Sequence, residues 1–139
     1  MDQAEEVIKW FNSHSRALAM LRDEQTHQYP TRLPLALLYP AATRWSSRYV
    51  TCARFIDIER AIRWLASMKT DELVDFTPRG RNAAETEAKR LKTREMLLGV
   101  TTESFWDGLK TYVIFCIINV CIAHHYPDFA ATYAHSQSQ

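Results

Sequence analysis

Pro40-Ala41-Ala42-Thr43-Arg44-Trp45-Ser46-Ser47-Arg48-Tyr49 is the stretch that decides the fold. A proline closes an irregular segment, a threonine stands ready to cap a helix, and a helical pattern follows at once. Trp45, Tyr49, Cys52 and Ile56 form one apolar stripe; Phe55, Ile58, Ile62 and Leu65 form a second, offset around the axis. The spacing predicts one helix over 44–69, with Thr43 as its N-cap and different neighbours at its two ends. Arg44 and Arg48 stand four apart and share a side.

Upstream, Pro30, Pro34 and Pro40 break residues 26–42, because proline lacks an amide hydrogen and disfavours helix at the residue before it. Leu33, Leu35, Leu37 and Leu38 make this segment too apolar for a free linker, and a short strand over 35–38 has weak support. Before it, Val7, Phe11, His14, Leu18 and Leu21 recur at steps of four and three, predicting a first helix over 2–24. His14 falls on the apolar face without a second ligand at metal spacing in that helix, so a satisfied histidine is the preferred reading.

Downstream, Pro78 and Gly80 mark a second break over 70–82. A third helix is expected over 83–98, with Ala84, Ala88, Leu91 and Leu98 as a thin apolar stripe on a peripheral, solvated element. Arg79, Arg81, Lys89, Arg90, Lys92 and Arg94 stand against Glu85 and Glu87, a local excess of four positive charges. A solvated helix face is the plainer reading of that patch, nucleic-acid contact the other. A fourth helix is expected over 103–124, apolar around most of its girth, which places it at the centre of a core or in an interface. Its uncharged run from Tyr112 to Ala123 falls short of the roughly 20 residues a bilayer span needs, and reads as a buried helix. A short helix over 128–133, opened by Pro127, and a disordered tail over 136–139 complete the expectation.

The chain has 139 residues, enough for one domain with a real core. With 47% hydrophobic and 24% charged residues its composition is that of a soluble globular protein, and with only 3 glycines it lacks strand–turn–strand punctuation. The fold class read from this is all-α: a small mixed helix bundle of four main helices plus a short C-terminal helix, one domain over 1–135. A net charge of +1 leaves nucleic-acid binding to be argued from a local patch. Three cysteines on apolar backgrounds imply reduced thiols in a nuclear or cytoplasmic protein, and the acidic start is unlike a secretory signal.

Catalytic chemistry finds little support. Cys116, Cys121, His124 and His125 fall at Cys-x4-Cys-x2-His-His spacing, but structural zinc sites draw two pairs from separate elements, so no metal and no cofactor are expected. Cys52 sits mid-helix among aromatic residues, a packing context rather than an activated nucleophile. No phosphate-cradling loop or serine elbow occurs. The chain is expected not to be an enzyme.

Thr43-Arg44-Trp45-Ser46, leading into a helix of mixed aromatic, aliphatic and arginine residues, resembles the hAT superfamily of DNA transposases. The likeness lies in the helical region inserted into their ribonuclease-H-like core. Phe11 to Leu21 is similar to the segment before that motif, Phe105 to Lys110 to the start of the next helix, and Pro127-Asp128 with Tyr133 to the segment after it. In that family the tryptophan lies close to transposon-end DNA and assists hairpin chemistry, so the resemblance implies that place for Trp45. An indole can stack an unpaired base for roughly 1–3 kcal/mol, and Arg44 and Arg48 could hold the adjoining phosphate. The plainer alternative makes Trp45 a core residue pinning the helix start.

The family cuts DNA with three carboxylates on a mixed sheet holding two metal ions. No apolar strand in this sequence ends in an aspartate, and neither the zinc-binding N-terminal module nor the C-terminal dimerisation segment is recognisable. The resemblance therefore implies a truncated, non-catalytic binding module. Its partner would be another protein or a second copy, met through an apolar helix surface, with no membrane partner. Residual binding of hairpin or single-stranded DNA is the alternative, through Arg44, Trp45, Arg48, Arg79, Arg81, Lys89, Arg90 and Lys92.

Overall fold

The computed structural model describes residues 2–39 and 45–125, without the side chains of Asp2 and residues 45–47. These residues form seven helices: α1 (Asp2–Asn12), α2 (Ser15–Gln28), α3 (Trp45–Asp57), α4 (Glu59–Met68), α5 (Thr70–Val74), α6 (Ala83–Val100) and α7 (Glu103–His125). The all-α class stands, but seven helices replace the expected four. The expected Thr43 cap, the helix over 128–133 and the tail over 136–139 lie outside the described residues.

The extra helices come from two breaks that hydrophobic spacing does not reveal and from a short helix inside the expected break over 70–82. The expected helix over 2–24 is two helices, divided at Ser13 and His14. Ser13 Oγ donates to the Lys9 carbonyl at 2.8 Å, and His14 Nδ1 lies 2.6 Å from the Trp10 carbonyl. The His14 ring takes the Trp10 carbonyl that the next helical turn would have used, whereas the Lys9 carbonyl also keeps the Ser13 amide at 3.0 Å. His14 itself is extended, at φ −127° and ψ 93°. The expected helix over 44–69 is α3 and α4, broken at Ile58 (φ −113°, ψ 20°) and ending at Lys69 (φ −120°, ψ 25°), and α5 occupies the start of the expected break over 70–82. The first stripe lies within α3, while the second starts at Phe55 of α3, passes through the break at Ile58 and continues as Ile62 and Leu65 of α4.

The core is centred on α4, which packs on α2, α5 and α6. Ala61, Ile62, Leu65 and Ala66 of α4 are buried, together with Val7, Ile8 and Phe11 of α1, Ala17 and Leu21 of α2, and Leu73 and Val74 of α5. Each fully buried aliphatic or aromatic side chain of this set contributes about 1.5–3 kcal/mol relative to exposure. α6 turns a different side inward from the one expected. Ala84, Ala88, Leu91 and Leu98 are exposed, and Thr93, Leu97 and Val100 face the core, with Met96 packed beside them. The start of α6 is fixed by Asn82, whose Oδ1 accepts the Glu85 amide at 2.9 Å, while Glu85 Oε2 accepts the Arg81 amide at 2.9 Å.

The segment between α2 and α3 is extended without strand pairing among the described residues. Buried Gln25 takes the place of a strand partner: its side chain accepts the Leu35 amide at 2.7 Å and donates to the Leu35 carbonyl at 3.0 Å. Leu37 is thereby buried and Leu35 packed on the core, while Leu33 stays in solvent. Arg32 closes the segment onto α3, stacking over Tyr29 and donating to the Asp57 carbonyl at 2.6 Å.

Candidate interaction surface

α7 is built in two parts. Its root is anchored by an aromatic cluster. Trp106 stacks on Phe55 of α3 with ring centroids 5.0 Å apart, and Phe105 meets both rings edge-on. The buried Trp106 indole donates to the Val100 carbonyl at 2.7 Å, which ties the tight α6–α7 connection to the core. Outside this cluster, Glu59 of α4 accepts from Lys110 Nζ at 2.8 Å and from Arg63 Nη1 at 3.0 Å. Burial raises the Glu59 pKa, but the hydrogen bonds from Lys110 and Arg63 outweigh it and hold the carboxyl below its ordinary value.

Beyond Leu109 only Cys116 is buried on α7. Tyr112 and Val113 pack partly against the core, while Ile114, Phe115, Ile117, Ile118 and Val120 are exposed, Ile114 by 57% and Ile118 by 51%. The run Tyr112 to Ala123 is therefore not the buried central rod its girth implied. A helix apolar all round is compatible with a core or with an interface, and the central place in this core is filled by α4. Ile114, Ile117, Ile118 and Cys121 recur at three and four residues and line one face. Asp107 and Lys110 continue that face toward the root, so it changes from charged to wholly uncharged along its length. By length and composition α7 can cross a membrane, with 17% of its most apolar window buried. Its uncharged part, residues 111–123, spans only about 20 Å against a hydrocarbon layer of about 30 Å. Exposed apolar side chains in contiguous array, held by an aromatic root, suit a protein–protein interaction surface.

The described residues among those assigned to DNA lie on α3, on α6 and just before α6. Arg44 and the Trp45 side chain lie outside the described residues. Arg48 faces α1, its Nε 4.0 Å from Glu5 Oε1. Arg90 reaches Asp75 Oδ1 at 2.9 Å and Glu87 at 3.9 Å, Arg94 reaches Asp71 at 2.9 Å, and Lys89 reaches Glu85 at 3.7 Å. Much of the positive excess over 79–94 is thus matched by carboxylates of α5, of α6 and of Asp75 just after α5, and it serves helix packing. Arg79 and Arg81 are exposed before α6, and Lys92 turns toward α1. Cys116 is buried and Cys121 exposed, and among the described residues no three His, Cys, Asp or Glu side chains gather at a metal-binding distance.

Comparison with family models, curated proteins and solved structures finds no match. The described residues carry no strand of a ribonuclease-H-like sheet. The likeness of Thr43-Arg44-Trp45-Ser46 to hAT transposases is accordingly a short coincidence of composition at a helix start, and the transposase descent and DNA role drawn from it are withdrawn. Sequence reasoning read the run Tyr112 to Ala123 as a buried helix and left the apolar girth of α7 between a core and an interface; the exposure of the run fits the interface. The absence of charge over 111–123 marks the run as apolar, but exposure depends on what α4 already fills.

Proposed function

We propose that this protein is a non-catalytic interaction module that pairs with a second copy of itself through the distal half of α7. The observation that carries the reading is the half-exposed array of Ile114, Phe115, Ile117, Ile118 and Val120 on one well-anchored helix. The spacing of Ile114, Ile117, Ile118 and Cys121 is that of a helix–helix seam. A seam of β-branched side chains without charge is complementary to an identical seam, and a two-fold pairing buries the same patch on both copies. Three cysteines that form no disulfide accord with a nuclear or cytoplasmic setting.

Sedimentation velocity at micromolar concentration is the test. The expected result is a dimer that becomes a monomer in Ile118→Asp and in Ile114→Asp, with unchanged helical circular dichroism. A wild-type chain that stays monomeric throughout the micromolar range overturns the proposal. So does wild-type protein that floats with phospholipid vesicles as a monomer, which would assign the apolar face to lipid.

A further inference from the structure

A second concave feature lies away from the apolar end of α7. α1, α6 and the segment before α6 line an open cleft of about 320 Å³, within the size range of small-molecule sites. Lys9 of α1 and Lys92 of α6 both line it, and neither has an ion-pair partner among the described residues. Their neighbours Lys89, Arg90 and Arg94 are all paired. Two unpaired lysines from different helices therefore border one hollow, beside Lys89 and with Glu6 as the lone carboxylate on its lining.

The wall is flat and apolar. The Trp10 indole stacks on the His14 ring with centroids 4.4 Å apart, and Met96 contributes its thioether. A carbonyl can only accept, so His14 Nδ1 carries the proton in its 2.6 Å contact with Trp10. That leaves His14 Nε2 without a partner among the described residues. Thr77 donates to Thr93 at 3.0 Å and Thr93 to the Lys89 carbonyl at 3.1 Å, so hydroxyl oxygens of the lining keep free lone pairs.

We infer that this cleft binds a small aromatic anion, a flat ring system bearing a carboxylate or phosphate. The ring lies along the Trp10–His14–Met96 wall and the anionic group sits between Lys9 and Lys92. Charge-assisted bonds to two ammonium groups fix the anionic end, and the apolar wall rejects anions that lack a ring.

The test uses the full chain and three probes: 2-naphthoate, 2-naphthalenemethanol and inorganic phosphate. Binding is followed by the Trp10 indole and Met96 methyl resonances, assigned through Trp10→Phe and Met96→Leu. Naphthoate is expected to shift both signals saturably, with the neutral alcohol and phosphate each at least about fivefold weaker. A Lys9→Ala/Lys92→Ala double variant is expected to lose about fivefold or more in naphthoate affinity, and Arg22→Ala none. Both lysines are exposed and unpaired, so the double variant retains the fold, as circular dichroism will verify. Absence of saturable shifts up to about 10 mM naphthoate, equal affinity for acid and alcohol, or unchanged affinity in the double variant each overturn the inference. Shifts confined to Ile114 and Ile118 overturn it as well, since they place the probe on α7.

Discussion

Lys110 Nζ lies 2.8 Å from Glu59 Oε1, so the root of α7 is fastened to the first turn of α4 by a carboxylate that Arg63 also holds. Burial alone would raise the Glu59 pKa, yet two cations bring it below the ordinary value. A carboxyl with a depressed folded-state pKa contributes stability that is complete above its unfolded value and is lost as pH falls through its folded one. Urea unfolding should therefore show stability declining below pH 4.5. In Glu59→Gln the protein should lose about 1 kcal/mol at pH 7, and its decline in acid should be shallower.

Gly80 is required by close approach rather than by backbone angle. A Cβ at this position would lie 2.6 Å from Glu85 Cγ and 3.0 Å from the Glu85 backbone carbon. Glu85 holds the Arg81 amide and donates its own amide to Asn82, and the Gly80 amide donates to Thr86 Oγ1 at 2.9 Å. Gly80→Ala should push this arrangement apart and unfasten the start of α6. A loss of about 1–2 kcal/mol in urea unfolding is expected, with Asn82→Ala costing about 1 kcal/mol by the same cap. Additivity of the two losses in the double variant would refute a shared mechanism.

The three thiols should separate cleanly by reactivity. Burial pushes the Cys52 thiol up to about 11, and Cys116 is also buried, whereas Cys121 is exposed on α7. Thiolate is the reactive form, so an aromatic disulfide reagent at pH 8 should modify one thiol rapidly and two only on unfolding. Because Cys121 lies on the proposed seam, its rate should fall as protein concentration rises through the dimer range. A rate independent of concentration would count against pairing through this face.

The parts of this fold legible in the sequence are those governed by local chemistry. The bounds of α7, the start of α6 after Asn82 and the irregular segment at Pro30 and Pro34 follow from caps, glycine and proline. The breaks at Ser13–His14 and Ile58 are not legible there, nor is the short helix α5 within residues 70–82. The first break depends on side chains turning back to the Lys9 and Trp10 carbonyls, and the second on where Phe55, Ile58 and Ile62 find neighbours. The inward face of α6 was misread because alanines at 84 and 88 are too small to fix a face, and Leu97 and Val100 outweigh them. The exposure of Ile114 and Ile118 is a tertiary property. It follows from α4 occupying the centre, and no period along α7 carries that information.

In the proposed dimer the charges at the root, Asp107 above all since Lys110 is held by Glu59, favour antiparallel pairing. Asp107 and Lys110 share the face of Ile114, Ile117, Ile118 and Cys121. Parallel pairing would set Asp107 on Asp107 and Lys110 on Lys110, with like charges along the seam, while antiparallel pairing carries each charged root past the other copy's apolar end. Centring the seam between Ile117 and Ile118 brings Ile114 opposite Cys121 of the second copy. The two native Cys121 residues then stand about 10 Å apart along the axis, too far for a disulfide. Mild oxidation should leave the native protein without a disulfide-linked dimer, while Ile114→Cys should give one that reducing agent dissolves. In a Cys121→Ser background the Ile114→Cys chain should lose that cross-link. An efficient Cys121–Cys121 bond in the native chain would instead demand parallel helices, with the like charges of the root left facing one another.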